Sequence, residues 1–192
     1  MKKIFLPIFA AVILSSCGGG TTEETLVEDK VSEKELIDGF TNVKTQFDVI
    51  FTNPSKYKQE DLVPLTDSMA YFVDALIANY PKSSQLGDVL CNAGVSSLNS
   101  RDGKRSEKYL VYLVDHFPEH PLVPKSMYFI GRTKDVIFND IEGAKAAYKI
   151  LYRTFPKTNW AEIAKSSIKE LSNPLLLESV DDGADIDTTE TK

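Results

Sequence analysis

The sequence predicts an all-α protein: an α-solenoid of about three helix pairs closed by a single capping helix. Three aromatic-proline pairs mark a repeat, Tyr80-Pro81, Phe117-Pro118 and Phe155-Pro156, and they fall 37 and 38 residues apart. Apolar residues between these marks recur at helical spacing, and no segment alternates with period two for long enough to form a strand. Self-similarity at a period of about 20–50 residues is typical of stacked repeats.

The first 16 residues predict a signal peptide. Lys2 and Lys3 precede an uncharged apolar run over residues 4–13. This run is far shorter than the roughly 20 residues that a membrane-spanning helix needs, so it predicts a cleaved signal and not an anchor helix.

The end of this run resembles a bacterial lipobox, with Leu14-Ser15-Ser16 before Cys17 and three glycines after it. An ordinary core cysteine, or a signal cut elsewhere, would also follow an apolar run. Three glycines argue against both, because they form a flexible exit that does not continue a packed helix. The resemblance implies a lipid on Cys17 and a flexible linker over residues 17–31. The inner-membrane retention signal has aspartate where this chain has Gly18. The resemblance therefore also implies an anchor in the outer membrane, with the protein on the periplasmic face of that membrane.

The next elements predict one helical repeat domain over residues 32–172. The first helix pair, residues 32–81, departs from the repeat because the connection between its helices is long. Two regular pairs follow at 84–118 and 122–156, and in each the proline is expected to end one helix while polar residues after it cap the next. A capping helix closes the array at 159–171, where Trp160, Ala164, Ile168 and Leu171 form a single apolar stripe.

Two glycines predict where the helices of a pair cross. Gly94 and Gly131 are 37 residues apart and lie inside predicted helices, where glycine is less stable than alanine by about 1 kcal/mol. We therefore expect a packing reason: the glycine lets the first helix approach its partner, which contributes a small residue, Ser106 or Ala144, at the crossing.

This spacing of glycine, small residue, bulky residue and proline resembles the tetratricopeptide repeat (TPR). The pattern is carried by Ala144, Tyr148, Leu151 and Pro156, and with serine for alanine by Ser106, Leu110, Leu113 and Pro118. Behind a lipobox, such repeats resemble the bacterial TPR lipoproteins of outer-membrane barrel assembly and the TPR domain of the Tol system. The resemblance implies an envelope scaffold that binds a protein or peptide partner.

Charge excludes one class of partner. The net charge of −6 resides in the termini, because the segment 32–172 carries 18 acidic and 18 basic side chains. A neutral domain offers no basic face to a phosphate backbone, so we expect no binding to nucleic acid. Residues 173–192 hold six acidic side chains against Lys192 alone and predict an acidic disordered tail.

The sequence contains no recognisable catalytic or metal-binding constellation, and we expect neither an enzyme nor a cofactor. His116 and His120 have the spacing of two ligands on one helix, but Pro118 and Pro121 interrupt that helix. With Cys17 lipidated, Cys91 has no disulfide partner and is expected to be buried or to line a groove. The alternative is an accessory subunit of an envelope enzyme, or an enzyme whose site the sequence hides.

The resemblance to TPR proteins also implies a binding surface on the first helices of successive pairs, at positions counted from the internal glycines. An aromatic ring beside two cations suits an extended peptide that carries an acidic group. These residues are either partner contacts or solvated residues of a scaffold. The positions are Asp88, Cys91, Val95 and Asn99 around Gly94, and Lys125, Tyr128, Arg132 and Asp135 around Gly131.

Overall fold

The computed structural model describes residues 30–173. The signal peptide, Cys17, and nearly all of the predicted linker and acidic tail lie outside the described residues. The described part contains seven α-helices, one 3-10 turn and no strand. The helices are α1 (Glu33–Phe51), α2 (Val63–Asn79), α3 (Leu86–Asn99), α4 (Gly103–His116), α5 (Val123–Val136), α6 (Ile141–Thr154) and α7 (Asn159–Glu170), and the 3-10 turn is Gln59–Leu62.

Consecutive helices pack as pairs, α1 with α2, α3 with α4 and α5 with α6, and α7 packs on α6. The first helices of the pairs, α1, α3 and α5, also contact one another in order, and α5 contacts α7. The second helices, α2, α4 and α6, lie farther apart and leave grooves between them. The predicted all-α solenoid of three TPR-like pairs and a capping helix is therefore confirmed.

The turn between pairs is built three times in the same way. The aromatic residue of each aromatic-proline pair caps the preceding helix, with its backbone N–H donating to the carbonyl four residues earlier. Its own carbonyl then accepts from the N–H three residues later. These N–H···O distances are 3.0 Å from Ser83 to Tyr80, 2.9 Å from His120 to Phe117 and 3.1 Å from Thr158 to Phe155.

The expectation that polar residues in these turns cap the next helix holds only for α7. There the Thr158 hydroxyl accepts from the backbone N–H of Ala161 at 3.2 Å. In the two earlier turns, Ser83 Oγ and His120 Nδ1 accept from the N–H two residues on, just before the helix begins. Neither α3 nor α5 has a side-chain cap, so the turn itself is stabilised instead.

The change of period from 37 to 38 comes from the connections inside the pairs. Residues 100–102 join α3 to α4, whereas residues 137–140 join α5 to α6 with one residue more. Each connection contains one left-handed residue, Arg101 with φ 65° or Asn139 with φ 52°. An aspartate follows each, Asp102 or Asp140, and its carboxylate caps the next helix.

Both internal glycines lie at helix crossings. A Cβ at Gly94 would lie 2.5 Å from Leu110, and one at Gly131 would lie 2.3 Å from the ring of Tyr148. Such distances leave no room for a side chain. Leu110 and Tyr148 are equivalent residues of α4 and α6, so the two pairs use the same crossing.

The small residues predicted at these crossings have different roles. The Ser106 carbonyl oxygen would lie 3.3 Å from a Cβ at Gly94, whereas the three atoms nearest to a Cβ at Gly131 all belong to the Tyr148 ring and none to Ala144. Both small residues are fully buried. Ser106 also joins two pairs, because its Oγ lies 2.9 Å from Oγ1 of Thr133 on α5.

The first pair has its own close approach, which the repeat pattern above does not include. A Cβ at Gly39 of α1 would lie 2.4 Å from the ring of Phe72. The long connection to α2 is attached to the next pair by Gln59, whose Nε2 donates to the Asn99 carbonyl at 2.6 Å.

Buried apolar residues form two clusters. The larger is built from α1 to α4 and includes Phe47, Leu76 and Tyr109. The smaller is built from α6 and α7, with Tyr148 and Leu151 at its centre and α5 residues packed against it. None of the helices within residues 30–173 combines the length and the apolar character that crossing a bilayer requires.

Candidate functional site

The predicted partner contacts lie on α3 and α5 and differ in exposure. Asp88 is exposed, Cys91 is buried, and Val95, Asn99, Lys125, Tyr128, Arg132 and Asp135 are half-buried. Asp88 and Lys125 both lie close enough to Cys91 to act on its thiol electrostatically. Tyr128, Arg132 and Asp135 form a second group around the Tyr148 hydroxyl. Val95 and Asn99 lie on the α3 side, toward the first pair.

Cys91 offers no surface to a partner. Its exposed fraction is 0%, and it belongs to the larger apolar cluster. Burial raises the pKa of its thiol, and the neighbouring Ser126 hydroxyl and Lys125 ammonium oppose this only in part. The sequence predicts that Cys91 is either buried or lines a groove. The structure places it in the core, where a neutral thiol is inert.

Tyr128 of α5 packs against two other helices. Its ring centroid lies 5.5 Å from that of Tyr148 on α6 and 5.3 Å from that of Trp160 on α7. Phe129 contacts Trp160 as well, at 5.8 Å between centroids. These distances are typical of stabilising aromatic pairs, so a large part of the Tyr128 ring holds the capping helix on the array.

Arg132 and Asp135 form a loose ion pair at the edge of this aromatic cluster. The distance from the guanidinium to the carboxylate is 3.5 Å, and the side chains are 41% and 17% exposed. Burial raises the pKa of the Asp135 carboxyl; Arg132 acts against this rise and Glu170 adds to it. Arg132 therefore keeps part of its charge available to an outside group.

Lys125 is the other cation on this face. It forms no ion pair with any residue of the described segment. It lies two helical turns before Arg132, which places the two cations about 10 Å apart along the axis of α5. The face can therefore bind carboxylates at two points.

The two histidines are separated by the turn between pairs. His116 stacks on Tyr112, with 3.8 Å between ring centroids. His120 packs over Gly87, where a Cβ would lie 2.5 Å from the imidazole. Within residues 30–173 no three histidine, cysteine, aspartate or glutamate side chains form a group able to hold a metal ion.

Sequence reasoning missed an apolar pocket in the groove between α4 and α6, which we call the α4/α6 pocket. It has a volume of about 220 Å³. Its floor comes from α5, and six of its lining residues are apolar: Val111, Val114, Met127, Ile130, Ala147 and Ile150. At 100° per residue, the floor residues and the predicted contacts lie on roughly opposite faces of α5. The helix thus separates two surfaces.

A signal for this pocket exists in the repeat. Tyr109 of α4 corresponds to Ala147 of α6 at the 38-residue spacing. Tyr109 is 1% exposed and fills the space beside α2, whereas the methyl group of Ala147 leaves the equivalent space beside α4 open. Aligning the repeats with each other, and not only with a family pattern, detects this difference.

No protein-family model matches this chain, and no curated protein matches it in sequence.

Proposed function

We propose that the chain is a membrane-tethered TPR-like adaptor of the bacterial cell envelope, held in the outer membrane by a lipid on Cys17 and binding a protein or peptide partner in the periplasm. A role in outer-membrane protein assembly fits this location. The folded part supplies a rigid array of helix pairs, an architecture that presents extended surfaces to partners.

One observation carries the partner part of this proposal: two cations are available on the first-helix face of α5. Lys125 has no ion-pair partner among residues 30–173, and Arg132 has only the loose pair with Asp135. Cations about 10 Å apart match carboxylates about three residues apart in an extended peptide. Tyr128 lies three residues after Lys125 and four before Arg132, on the same face of α5, where it would give the peptide an aromatic edge.

The test reverses the two charges and leaves the aromatic packing intact. Lys125→Glu with Arg132→Glu should abolish capture of envelope partners by the full chain, because reversal adds repulsion to the loss of attraction. The matched control is Lys149→Glu with Arg153→Glu, two exposed cations of α6. Partners are captured by crosslinking in intact cells, identified by mass spectrometry and then bound again in purified form. Equal recovery by both double variants would overturn the site.

The anchor is tested separately. The mature N-terminus should carry diacylglycerol on Cys17, and Cys17→Ser should accumulate as precursor because no other thiol is available at that position. Mass spectrometry of the wild-type N-terminus gives the answer. An unmodified cysteine, or cleavage at another residue, contradicts the tether and leaves the partner surface to be judged by its own experiment.

A further inference from the structure

The α4/α6 pocket lies at the junction of the two apolar clusters. Val111 and Val114 come from α4, which belongs to the larger cluster, whereas Ala147 and Ile150 come from α6, which belongs to the smaller one. No hydrogen bond or ion pair within residues 30–173 joins a side chain of α4 to one of α6. The pocket therefore has no polar bridge across it, and it reaches the surface at its rim, where Ile150 is 56% exposed.

The size and lining of the pocket fit one aromatic ring. Its volume is about 220 Å³, and an apolar cavity of about 150 Å³ is enough to bind benzene. The preceding pair gives a direct precedent inside the same molecule, because there the equivalent space holds the ring of Tyr109. An aromatic side chain of a binding partner would make contacts in the α4/α6 pocket like those that the Tyr109 ring makes in the preceding groove.

The charge at the rim of the pocket indicates which residues would flank the aromatic residue in a bound segment. Asp115 is the one charged residue among those that line the pocket. It is exposed and forms no ion pair with any residue between 30 and 173. A carboxylate beside an apolar pocket favours a segment that places lysine or arginine next to its aromatic residue.

We propose that the α4/α6 pocket binds an aromatic side chain of a partner segment that carries lysine or arginine next to that residue. The inference rests on the proposed adaptor function and adds a second contact to it. This contact is on the opposite face of α5 from Lys125 and Arg132, and it takes the opposite charge. A partner that uses both surfaces would carry an acidic stretch and a separate basic-aromatic stretch.

Two other occupants are disfavoured by charge. Residues 175–177 are three leucines, but the segment 173–192 around them carries six acidic residues and a single lysine at its end, which Asp115 would repel. A second copy could offer Tyr71, which is 62% exposed. The cations near that ring, however, are already paired, Arg105 with Asp67 and Lys108 with Asp74, so it brings no free cation to Asp115.

The experiment uses the full chain in nanodiscs of phosphatidylcholine, a neutral lipid that does not attract basic peptides. The probe is a fluorescein-labelled peptide, Gly-Ser-Lys-Phe-Lys-Ser-Gly, and binding is followed by fluorescence anisotropy. Two matched peptides replace the phenylalanine with alanine, or both lysines with glutamate. Loss of the ring should weaken binding by at least about tenfold, and the change of charge by up to about fivefold.

Ala147→Tyr places in α6 the residue that α4 has at the same position and should weaken binding of the Lys-Phe-Lys peptide by at least about tenfold. The control is Ser166→Tyr, an exposed position on α7 that does not line the pocket, which should change affinity by less than about twofold. Circular dichroism verifies the fold. Should Ala147→Tyr fail to fold, Ile150→Lys repels the same peptide from the rim. Asp115→Lys should reverse the preference between lysine and glutamate peptides.

Each other outcome overturns the inference. Equal binding by wild type and Ala147→Tyr places the peptide elsewhere. Binding that begins only when the chain is cut after Asn173 assigns the pocket to the chain's own C-terminal segment. A dimer in sedimentation that Ala147→Tyr dissociates assigns it to a second copy. No binding in any arm rejects an aromatic ligand. In all four cases, capture of a partner that depends on Lys125 and Arg132 still supports the adaptor function.

Discussion

The groove between α2 and α4 is closed, whereas the groove between α4 and α6 is open. In the first, Arg105 donates to Asp67 at 2.6 Å and Lys108 to Asp74 at 2.8 Å, and Tyr109 fills the space beneath them. Burial raises the pKa of the Tyr109 phenol, and the nearby Asp74 raises it further, so the ring stays neutral in the interior.

The second groove lacks the Asp74–Lys108 pair and the tyrosine ring at the equivalent positions. Val111 stands where α2 has Asp74, Ala146 where α4 has Lys108, and Ala147 where α4 has Tyr109. The repeat therefore sets where the grooves form, and the side chains at these positions distinguish the filled groove from the open one.

The largest expected effect comes from opening the closed groove. Tyr109→Ala should lower the free energy of unfolding by about 3–5 kcal/mol, because it removes a buried ring and leaves a cavity. Urea unfolding followed by circular dichroism measures the change. A loss below about 1 kcal/mol would mean that Tyr109 is not needed to close the groove.

The control for that variant is Tyr109→Phe. The Tyr109 hydroxyl is buried and lies near the half-exposed Asp74, but it makes no hydrogen bond of good geometry with any described residue. Removing it should therefore leave stability nearly unchanged, within about 0.5 kcal/mol, or raise it. The pair of variants separates the contribution of the ring from that of the hydroxyl.

The helices and turns could be predicted from the sequence because their signals are local. Aromatic-proline pairs and apolar stripes each act within a few residues, and they predict the all-α solenoid that the structure contains. The internal glycines meet residues of the next helix, but they recur with the repeat and are visible for that reason. The position of Gly131 against Tyr148 follows the same repeat, since Gly94 meets Leu110 in the preceding pair.

The surfaces could not be predicted in the same way, because they depend on contacts between helices distant in the chain. Tyr128 matches a groove position by count, but α7 brings Trp160 against it. The open pocket depends on which face of the helix carries the tyrosine. α4 buries a tyrosine at position 109, whereas α6 buries its tyrosine at position 148, which is equivalent to 110. One residue corresponds to about 100° around the helix, so the tyrosine of α6 points away from the groove and toward α5. Composition alone does not detect this shift.

Two substitutions on α6 should change stability by an intermediate amount and in opposite directions, because Ala144 faces the packed core and Ala147 faces the α4/α6 pocket. Ala144→Leu should lower the free energy of unfolding by about 1–3 kcal/mol, because Ala144 is fully buried and extra methylenes would overpack the core. Ala147→Leu, three residues later, should raise it by about 1 kcal/mol, because its methylenes enter the α4/α6 pocket. Urea unfolding of the two variants side by side gives the comparison, and effects of the same sign would contradict the difference between the two sites.

The smallest effect concerns the ion pairs, and it asks whether the two grooves have the same geometry. Asp74 and Lys108 are about half exposed, so a double-mutant cycle with alanine should give a coupling of about 0.2–1 kcal/mol, and salt should reduce it. The same pair can be moved to the open groove as Val111→Asp with Ala146→Lys, the equivalent positions in α4 and α6. If α4 and α6 face each other as α2 and α4 do, the second cycle should give a coupling of similar size and salt dependence. A coupling in the first groove with none in the second would show that the helices diverge toward α6, so that backbone spacing as well as side-chain identity keeps the α4/α6 pocket open.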